Sequence, residues 1–168
     1  MVYVGGSHGL YSIAFCRQNP GLEAVILDLP AALQETEGTI AAEGLADRIA
    51  VQRGDYLSGD LGQGYDVVLL FGIIDGNTFE QNSRLFREVG RALNPGGPVA
   101  IMSHIRTEPP ADLSAIFGLM MFLAYGTRNY NYPEITGWLS DAGFGSPTRV
   151  DLPPTGAVSL VTAAKAAR

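Results

Sequence analysis

Apolar residues in this chain come in short blocks, each closed by glycine, proline or aspartate and most followed by a stretch with helical spacing. The block at 2–4 ends in glycines and predicts a buried strand, and 10–17 predicts a helix. A second apolar strand, 24–27, is closed by Asp28-Leu29-Pro30, and a helix over about 31–43 is expected to follow, since proline suits a first helical position. Residues 48–52 form a third expected strand, ending at Gly54-Asp55, and 66–71 (DVVLLF) a fourth. Phe79, Leu85, Phe86, Val89 and Leu93 recur at helical spacing within 78–93; Asn94-Pro95-Gly96-Gly97 stops that helix, and 99–102 is a fifth strand.

The strands are apolar almost throughout, as strands covered on both faces must be, and they alternate with helices. Together these features imply an α/β fold with a mostly parallel sheet. The tail departs from the alternation. An apolar helix over about 111–125 leads to a second helix at 133–142. Strands at 148–150 and 158–162 then flank a Pro-Pro-Thr-Gly turn. That closing hairpin puts an antiparallel element into the sheet. The helix around 116–124 is apolar on nearly every side, which implies that one side faces solvent or a second copy of the chain.

Composition narrows the function. At 168 residues the chain is expected to form one domain, 1–168. A net charge of -6 argues against nucleic-acid or anionic-membrane partners. The longest apolar run, 113–125, is short of the roughly 20 residues a bilayer span needs. The single cysteine, Cys16, excludes an intrachain disulfide, and no signal peptide is read at Met1; a cytoplasmic location is expected. Two histidines and one cysteine are too few for a structural zinc site, so no metal site is expected.

The chemistry gathers at Val4-Gly5-Gly6-Ser7-His8-Gly9, between the first strand and the first helix. Glycines there permit a tight turn and close ligand approach, and the helix N-terminus offers free N–H groups. Asp28 lies about 20 residues on, at a strand end, where an acid accepts hydrogen bonds from ribose hydroxyls. It could equally cap the helix expected after it. Asp55 ends the next strand and reads as either a second ligand contact or a turn aspartate. The glycine spacing does not fit G-x-G-x-x-G, which leans away from a nicotinamide dinucleotide.

In the order and spacing of VGGSHG (4–9), PGLEAVILDLP (20–30), RGDYL (53–57), DVVLLF (66–71), ALNPGG (92–97) and WLSDAGF (138–144), the chain resembles the small-molecule O-methyltransferases that include caffeic-acid-type and bacterial polyketide-tailoring enzymes. The resemblance implies a Rossmann-like class I methyltransferase sheet of seven strands with a C-terminal antiparallel hairpin, and S-adenosylmethionine as cofactor. It implies that Gly5, Gly6 and Gly9 hold the methionine portion, that Asp28 and Leu29 contact ribose and adenine, and that Asp55 and Tyr56 flank the adenine. Met121 matches the helix lining the acceptor pocket, with Met120 beside it; core packing is the alternative for both. The family carries a preceding helical dimerisation domain. This chain starts at the first sheet strand, so that domain is expected to be absent, and a homodimer or a separate partner domain is expected in its place.

Several positions depart from the family pattern. Asp75 stands where a catalytic histidine is usual, Ser103 and Asn129 stand for two glutamates, Tyr130 for an arginine, and Tyr3 for an acid before the glycine loop. The expected function is O-methylation of a small hydroxylated aromatic or polyketide-like acceptor. Alternatives are a non-methylating S-adenosylmethionine or S-adenosylhomocysteine binding module, a relative with a different reaction, and a nicotinamide-dependent oxidoreductase. For a base, the reading is His104, after the fifth strand, with Asp75 orienting it or the acceptor; otherwise His104 is a solvent-facing loop residue and Asp75 an exposed aspartate capping a turn with Gly76 and Asn77. Asn129 is expected in the substrate pocket.

Overall fold

The computed structural model describes residues 1–108, 112–153 and 158–167. The elements are β1 (Val2–Val4), α1 (Leu10–Gln18), β2 (Ala24–Asp28), α2 (Thr36–Ala42), β3 (Ile49–Arg53), β4 (Val68–Phe71), a 3₁₀ turn (Ile74–Gly76), α3 (Phe79–Ala92), β5 (Pro98–Ser103), α4 (Asp112–Tyr125), α5 (Tyr132–Asp141), β6 (Thr148–Asp151) and β7 (Ser159–Ala164). They build a seven-stranded sheet in the order β3-β2-β1-β4-β5-β7-β6. The first five strands pair in parallel; β7 runs antiparallel between β5 and β6. The sheet is therefore mostly parallel with an antiparallel C-terminal hairpin, as expected.

Chain order turns back on itself at β1. Val2 pairs with Val25 of β2 on one side and Val68 of β4 on the other. Strands diverging from a central neighbour leave a crevice beyond their carboxyl ends, where open α/β sheets bind ligands. The glycine loop after β1 and the 3₁₀ turn after β4 both open onto it.

Alternation along the strands supplies two cores. Val2 and Val4 of β1 and Val68 and Leu70 of β4 pack with Leu85, Phe86 and Val89 of α3 and with Ile135, Trp138 and Leu139 of α5. Ala24 and Ile26 of β2 point the other way, onto Ile13 and Cys16 of α1 and Leu33 and Ile40. Each fully buried valine, leucine, isoleucine or phenylalanine among them contributes about 1.5–3 kcal/mol of transfer free energy. Helix α3 is fixed at its start by a capping box: the Thr78 hydroxyl accepts from the Gln81 N–H, and the Gln81 side chain accepts from the Thr78 N–H.

Two expectations need adjusting. The helix expected from residue 31 begins only at Thr36. Residues 30–35 form tight turns instead, with Ala32 N–H bonded to Leu29 C=O and Leu33 N–H to Pro30 C=O. Two tertiary contacts explain this: Leu33 is buried, and the Thr36 hydroxyl donates to Ser7 C=O at 2.6 Å, tying the segment to the glycine loop. Strand β4 starts at Val68 rather than 66, because Asp66 turns to accept from the Asn94 side-chain amide at 2.8 Å. Most of the Pro-Pro-Thr-Gly turn, and Ala111 at the start of the expected apolar helix, lie outside the described residues. Among the described residues, no helix is long and apolar enough to cross a membrane.

Candidate active site

The loop between β1 and α1 owes its path to glycine. Gly5 and Gly9 have φ of +65° and +73°, a region that costs other residues about 1 kcal/mol or more. A Cβ on Gly5 would also overlap the Ile73 side chain, and one on Gly6 would lie 2.6 Å from the Tyr3 ring and 2.8 Å from Ile26 Cγ2. Gly9 precedes α1, whose first turn holds no acidic residue and whose Gly9 cap offers no side chain. The Leu10 N–H is taken by His8 Nδ1 at 3.1 Å and the Ile13 N–H by Gly9 C=O at 2.9 Å, so the helix start retains its dipole for a carboxylate with only part of its N–H groups engaged.

Asp28, at the end of β2, is buried beneath this loop. Its Oδ2 accepts from Ser7 N–H at 2.9 Å and its Oδ1 from Leu29 N–H at 2.8 Å. It does not cap a helix, since none starts at Pro30. Each carboxylate oxygen can accept a second hydrogen bond, so the aspartate can hold the loop and still receive ribose hydroxyls. Leu29 is half exposed beside it. Asp55, by contrast, is a turn aspartate: exposed, it accepts from Leu57 N–H at 2.8 Å and the Ser58 hydroxyl at 3.1 Å. Tyr56 leans inward, and its hydroxyl contacts Asn77 Oδ1 at 3.2 Å.

Tyr3 shows what replaces the missing acid. Its ring packs against Tyr11 and Phe71, with centroids 5.8 Å from each. Burial pushes the pKa of its hydroxyl up to about 12, so Tyr3 itself contributes no charge there.

Beyond β4 and β5 lies a cavity of about 510 Å³. Ile73 and Asp75 line it from the 3₁₀ turn region, Met102, Ser103 and His104 from the end of β5, Phe117, Met121 and Tyr125 from α4, and Tyr56 from the cofactor side. Its walls are mostly apolar, with polar groups from Asp75, Ser103, His104, Tyr56 and Tyr125. Asp75 is 2% exposed, not an exposed turn cap. The Ser103 hydroxyl donates to its Oδ2 at 2.6 Å, and the His104 backbone N–H also favours the charged form. Its Oδ1, closed off from bulk water, has no hydrogen-bond partner. Burial raises the Asp75 carboxyl to about 6, with the Ser103 and His104 hydrogen bonds pulling the other way.

His104 is not a solvent-facing loop residue. Its ring stacks on Phe117 at 3.8 Å between centroids, and burial lowers its pKa, so the imidazole is neutral at neutral pH. The contacts from Asp75 reach the His104 backbone, through Ser103's neighbourhood.

The fold thus brings Tyr56, Asp75, His104 and Met121 to one cavity, with Gly5, Gly6, Gly9, Asp28 and Leu29 along its flank. Asn129 does not line it. Its amide donates to Ser114 C=O and Oγ at 3.0 and 2.8 Å, bracing α4. Met120 is exposed on the far side of that helix. Ile73, Phe117 and Thr127 escaped the sequence reading; the Thr127 hydroxyl anchors Asp75 C=O at 2.7 Å from 52 positions away, a contact no local pattern announces. Among the described residues, no group of three or more His, Cys, Asp or Glu side chains could hold a metal ion.

Comparison with known proteins bears on this arrangement. Residues 1–145 match the model of the O-methyltransferase domain. The chain is 33% identical over 97% of its length to a 3-hydroxy-5-methyl-1-naphthoate 3-O-methyltransferase of Streptomyces sahachiroi, and spans 48% of that protein. It is 35% identical over 89% of its length to an L-tyrosine C(3)-methyltransferase of Streptomyces lavendulae, spanning 42% of it. Its fold superposes on the S-adenosylmethionine-dependent methyltransferase SibL in its apo form with a TM-score of 0.87 and 26% identity, covering 98% of this chain and 50% of that one. The chain therefore spans about half the length of the relatives it matches. With the glycine loop, the Asp28 bridge and the seven-stranded order in place, the chain belongs to the S-adenosylmethionine-dependent O-methyltransferase family.

Proposed function

We propose that this chain binds S-adenosylmethionine along the edge from the glycine loop to Tyr56 and methylates a small hydroxylated aromatic or polyketide-like acceptor held in the cavity beyond β4 and β5. One observation carries the reading: Ile73 touches Gly5 on one side and lines the cavity on the other. A ligand on the glycine loop and one in the cavity are then separated by a single side chain.

The residues divide the work. The N-terminus of α1 receives the cofactor's carboxylate, Gly5, Gly6 and Gly9 allow its close approach, and Asp28 receives the ribose hydroxyls. Leu29 and Tyr56 border the adenine, with Asp55 shaping the turn that carries Tyr56. When bound, the cofactor supplies an electrophilic methyl group on a sulfonium. The apolar walls, Met121 among them, exclude water and hold the acceptor in line, and positioning of this kind accounts for much of a transfer rate. His104 and Asp75 are the groups available to manage the acceptor's proton.

Calorimetry tests the cofactor half. Asp28→Ala should weaken S-adenosylhomocysteine binding by about 1–3 kcal/mol, because loop N–H groups and ribose hydroxyls lose their acceptor. Equal affinity in wild type and mutant removes Asp28 from the site. Methyl transfer from labelled cofactor to a panel of phenols tests the other half; binding without transfer would favour the second reading, a non-methylating module. The departures at Asp75, Ser103 and Asn129 are what support that second reading.

The reading also includes a partner. The exposed apolar surface of α4 supports a homodimer or a separate partner domain as its cover, and light scattering reports which assembly forms.

A further inference from the structure

We infer that Asn77 and Asn82 are positioning residues: a one-way chain of side-chain amides, starting at the Ile74 carbonyl, fixes the hydroxyl of Tyr56 and so sets the ring that borders the cofactor. The inference rests on the proposed function and adds to it two residues that do not themselves line the cavity.

The direction of the chain is forced at its far end. Asn82, wholly buried in α3, donates from its Nδ2 to Ile74 C=O at 2.8 Å. A carbonyl can only accept, so the Asn82 amide has one orientation, with Oδ1 turned away from Ile74. That Oδ1 accepts from Asn77 Nδ2 at 3.0 Å. Asn77 is thereby oriented too, and its Oδ1 is the atom left to receive the Tyr56 hydroxyl at 3.2 Å. Three links join α3, the 3₁₀ turn and the loop after β3. Both amides are buried, where water does not compete for them and a lost partner is expensive.

The backbone of Asn77 is held separately. The Tyr130 hydroxyl donates to Asn77 C=O at 2.7 Å, and the Thr127 hydroxyl donates to Asp75 C=O, two residues earlier, at 2.7 Å. The Asn77 amide therefore hangs from a fixed point and does not follow Tyr56 if that ring swings.

Tyr56 is where the chain ends and the ligand region begins. Its ring lines the cavity, and its Cε1 lies 3.9 Å from the place a Cβ on Gly5 would take. The Asp55 turn fixes the main chain of this loop. The bond to Asn77 fixes the far end of the ring. Residues on α3 and in the 3₁₀ turn thus decide where a side chain from the other side of the crevice stands.

Calorimetry with S-adenosylhomocysteine on wild type, Tyr56→Phe, Asn82→Ala and the double variant tests the chain. Each single change should weaken binding by about 3- to 10-fold, the worth of one buried hydrogen bond. The double variant should bind within about twofold of the weaker single variant, because a chain cut at one end gains nothing from its other links. A packing defect at Asn82 would weaken binding equally in both backgrounds, so additive losses overturn the assignment. In labelled-methyl assays, Asn82→Ala should raise the KM for S-adenosylmethionine by that same factor and keep kcat within about twofold. A fall in kcat at unchanged KM overturns it as well. Should Asn82→Ala not fold, Tyr56→Phe decides alone, and unchanged affinity there overturns the assignment. Wild type is titrated first: no binding strikes the proposed function and this inference with it, whereas binding that Tyr56→Phe leaves unchanged strikes only the chain of amides.

Discussion

Helices α3 and α4 are both 14 residues long, yet they belong to different environments. In α3, Leu85, Phe86 and Val89 are buried, while Glu80, Arg84, Arg87, Glu88 and Arg91 turn outward. Its sequence contains a description of its own surroundings, core on one side and water on the other. In α4, Ile116, Phe122, Leu123 and Tyr125 are all more than 60% exposed, and no charged residue follows Asp112. Only a narrow strip faces inward: Ser114, whose hydroxyl reaches Ile105 C=O, Phe117 on His104, and Met121 on the cavity. Among the described residues nothing covers that apolar exterior. One helix is buried on one side by its own domain; the other is held to it by a narrow strip alone.

The contrast can be broken at several points. The largest effect belongs to α3: Phe86→Ala, which opens a hole beside Trp138, should cost about 3–5 kcal/mol in denaturant unfolding. A cost below about 1 kcal/mol would mean that α3 is not the anchored helix. Next comes the floor beneath α4. Because the folded-state Asp75 carboxyl is raised from 3.8 to about 6, the native state binds more protons than the unfolded state between those values. Stability therefore falls as pH rises through that window and stays lower above it. Asp75→Asn should add up to about 3 kcal/mol at pH 7, and the gain should vanish below about pH 4. A variant less stable than wild type at pH 7 would contradict the burial argument.

A smaller effect tests the cap. Thr78→Ala removes one half of the α3 capping box and should cost about 1 kcal/mol. The smallest change in stability belongs to α4, where Leu123→Ser should alter unfolding by less than about 0.5 kcal/mol. The same variant should reduce hydrophobic-dye binding and any self-association seen by light scattering. A loss above about 1 kcal/mol would show that α4 is packed by its own chain after all.

These helices also mark how far the sequence could be read. Amphipathic α3, the apolar strands and the closing hairpin were legible, because a repeating pattern encodes which side faces the core. So was the glycine loop with Asp28, since steric need and charge fall at fixed spacing. The start of α2 was not, because Leu33 and Thr36 answer to contacts with distant segments rather than to Pro30. The burial of Asp75 was not legible either. Next to Gly76 and Asn77 it has the local signature of an exposed turn, and its burial comes from Ser103, Thr127 and α4 folding over it. Asn129 shows the same weakness in reverse: expected in the cavity, it is spent on Ser114. Charge and burial at such positions are set by elements that sequence proximity does not join.

Under the proposed function, Ile73 makes the two ligand regions answerable to each other. Its side chain fills the place a Cβ on Gly5 would take, and its other flank is cavity wall. Anything that stiffens the glycine loop therefore also fixes the shape offered to the acceptor. Thermodynamic reciprocity then requires that whatever factor cofactor occupancy brings to acceptor affinity, acceptor occupancy returns to cofactor affinity. Trimming Ile73 to valine would loosen that exchange without touching a single polar contact, making a lone methyl group the measure of how strongly the two halves of the reaction are coupled.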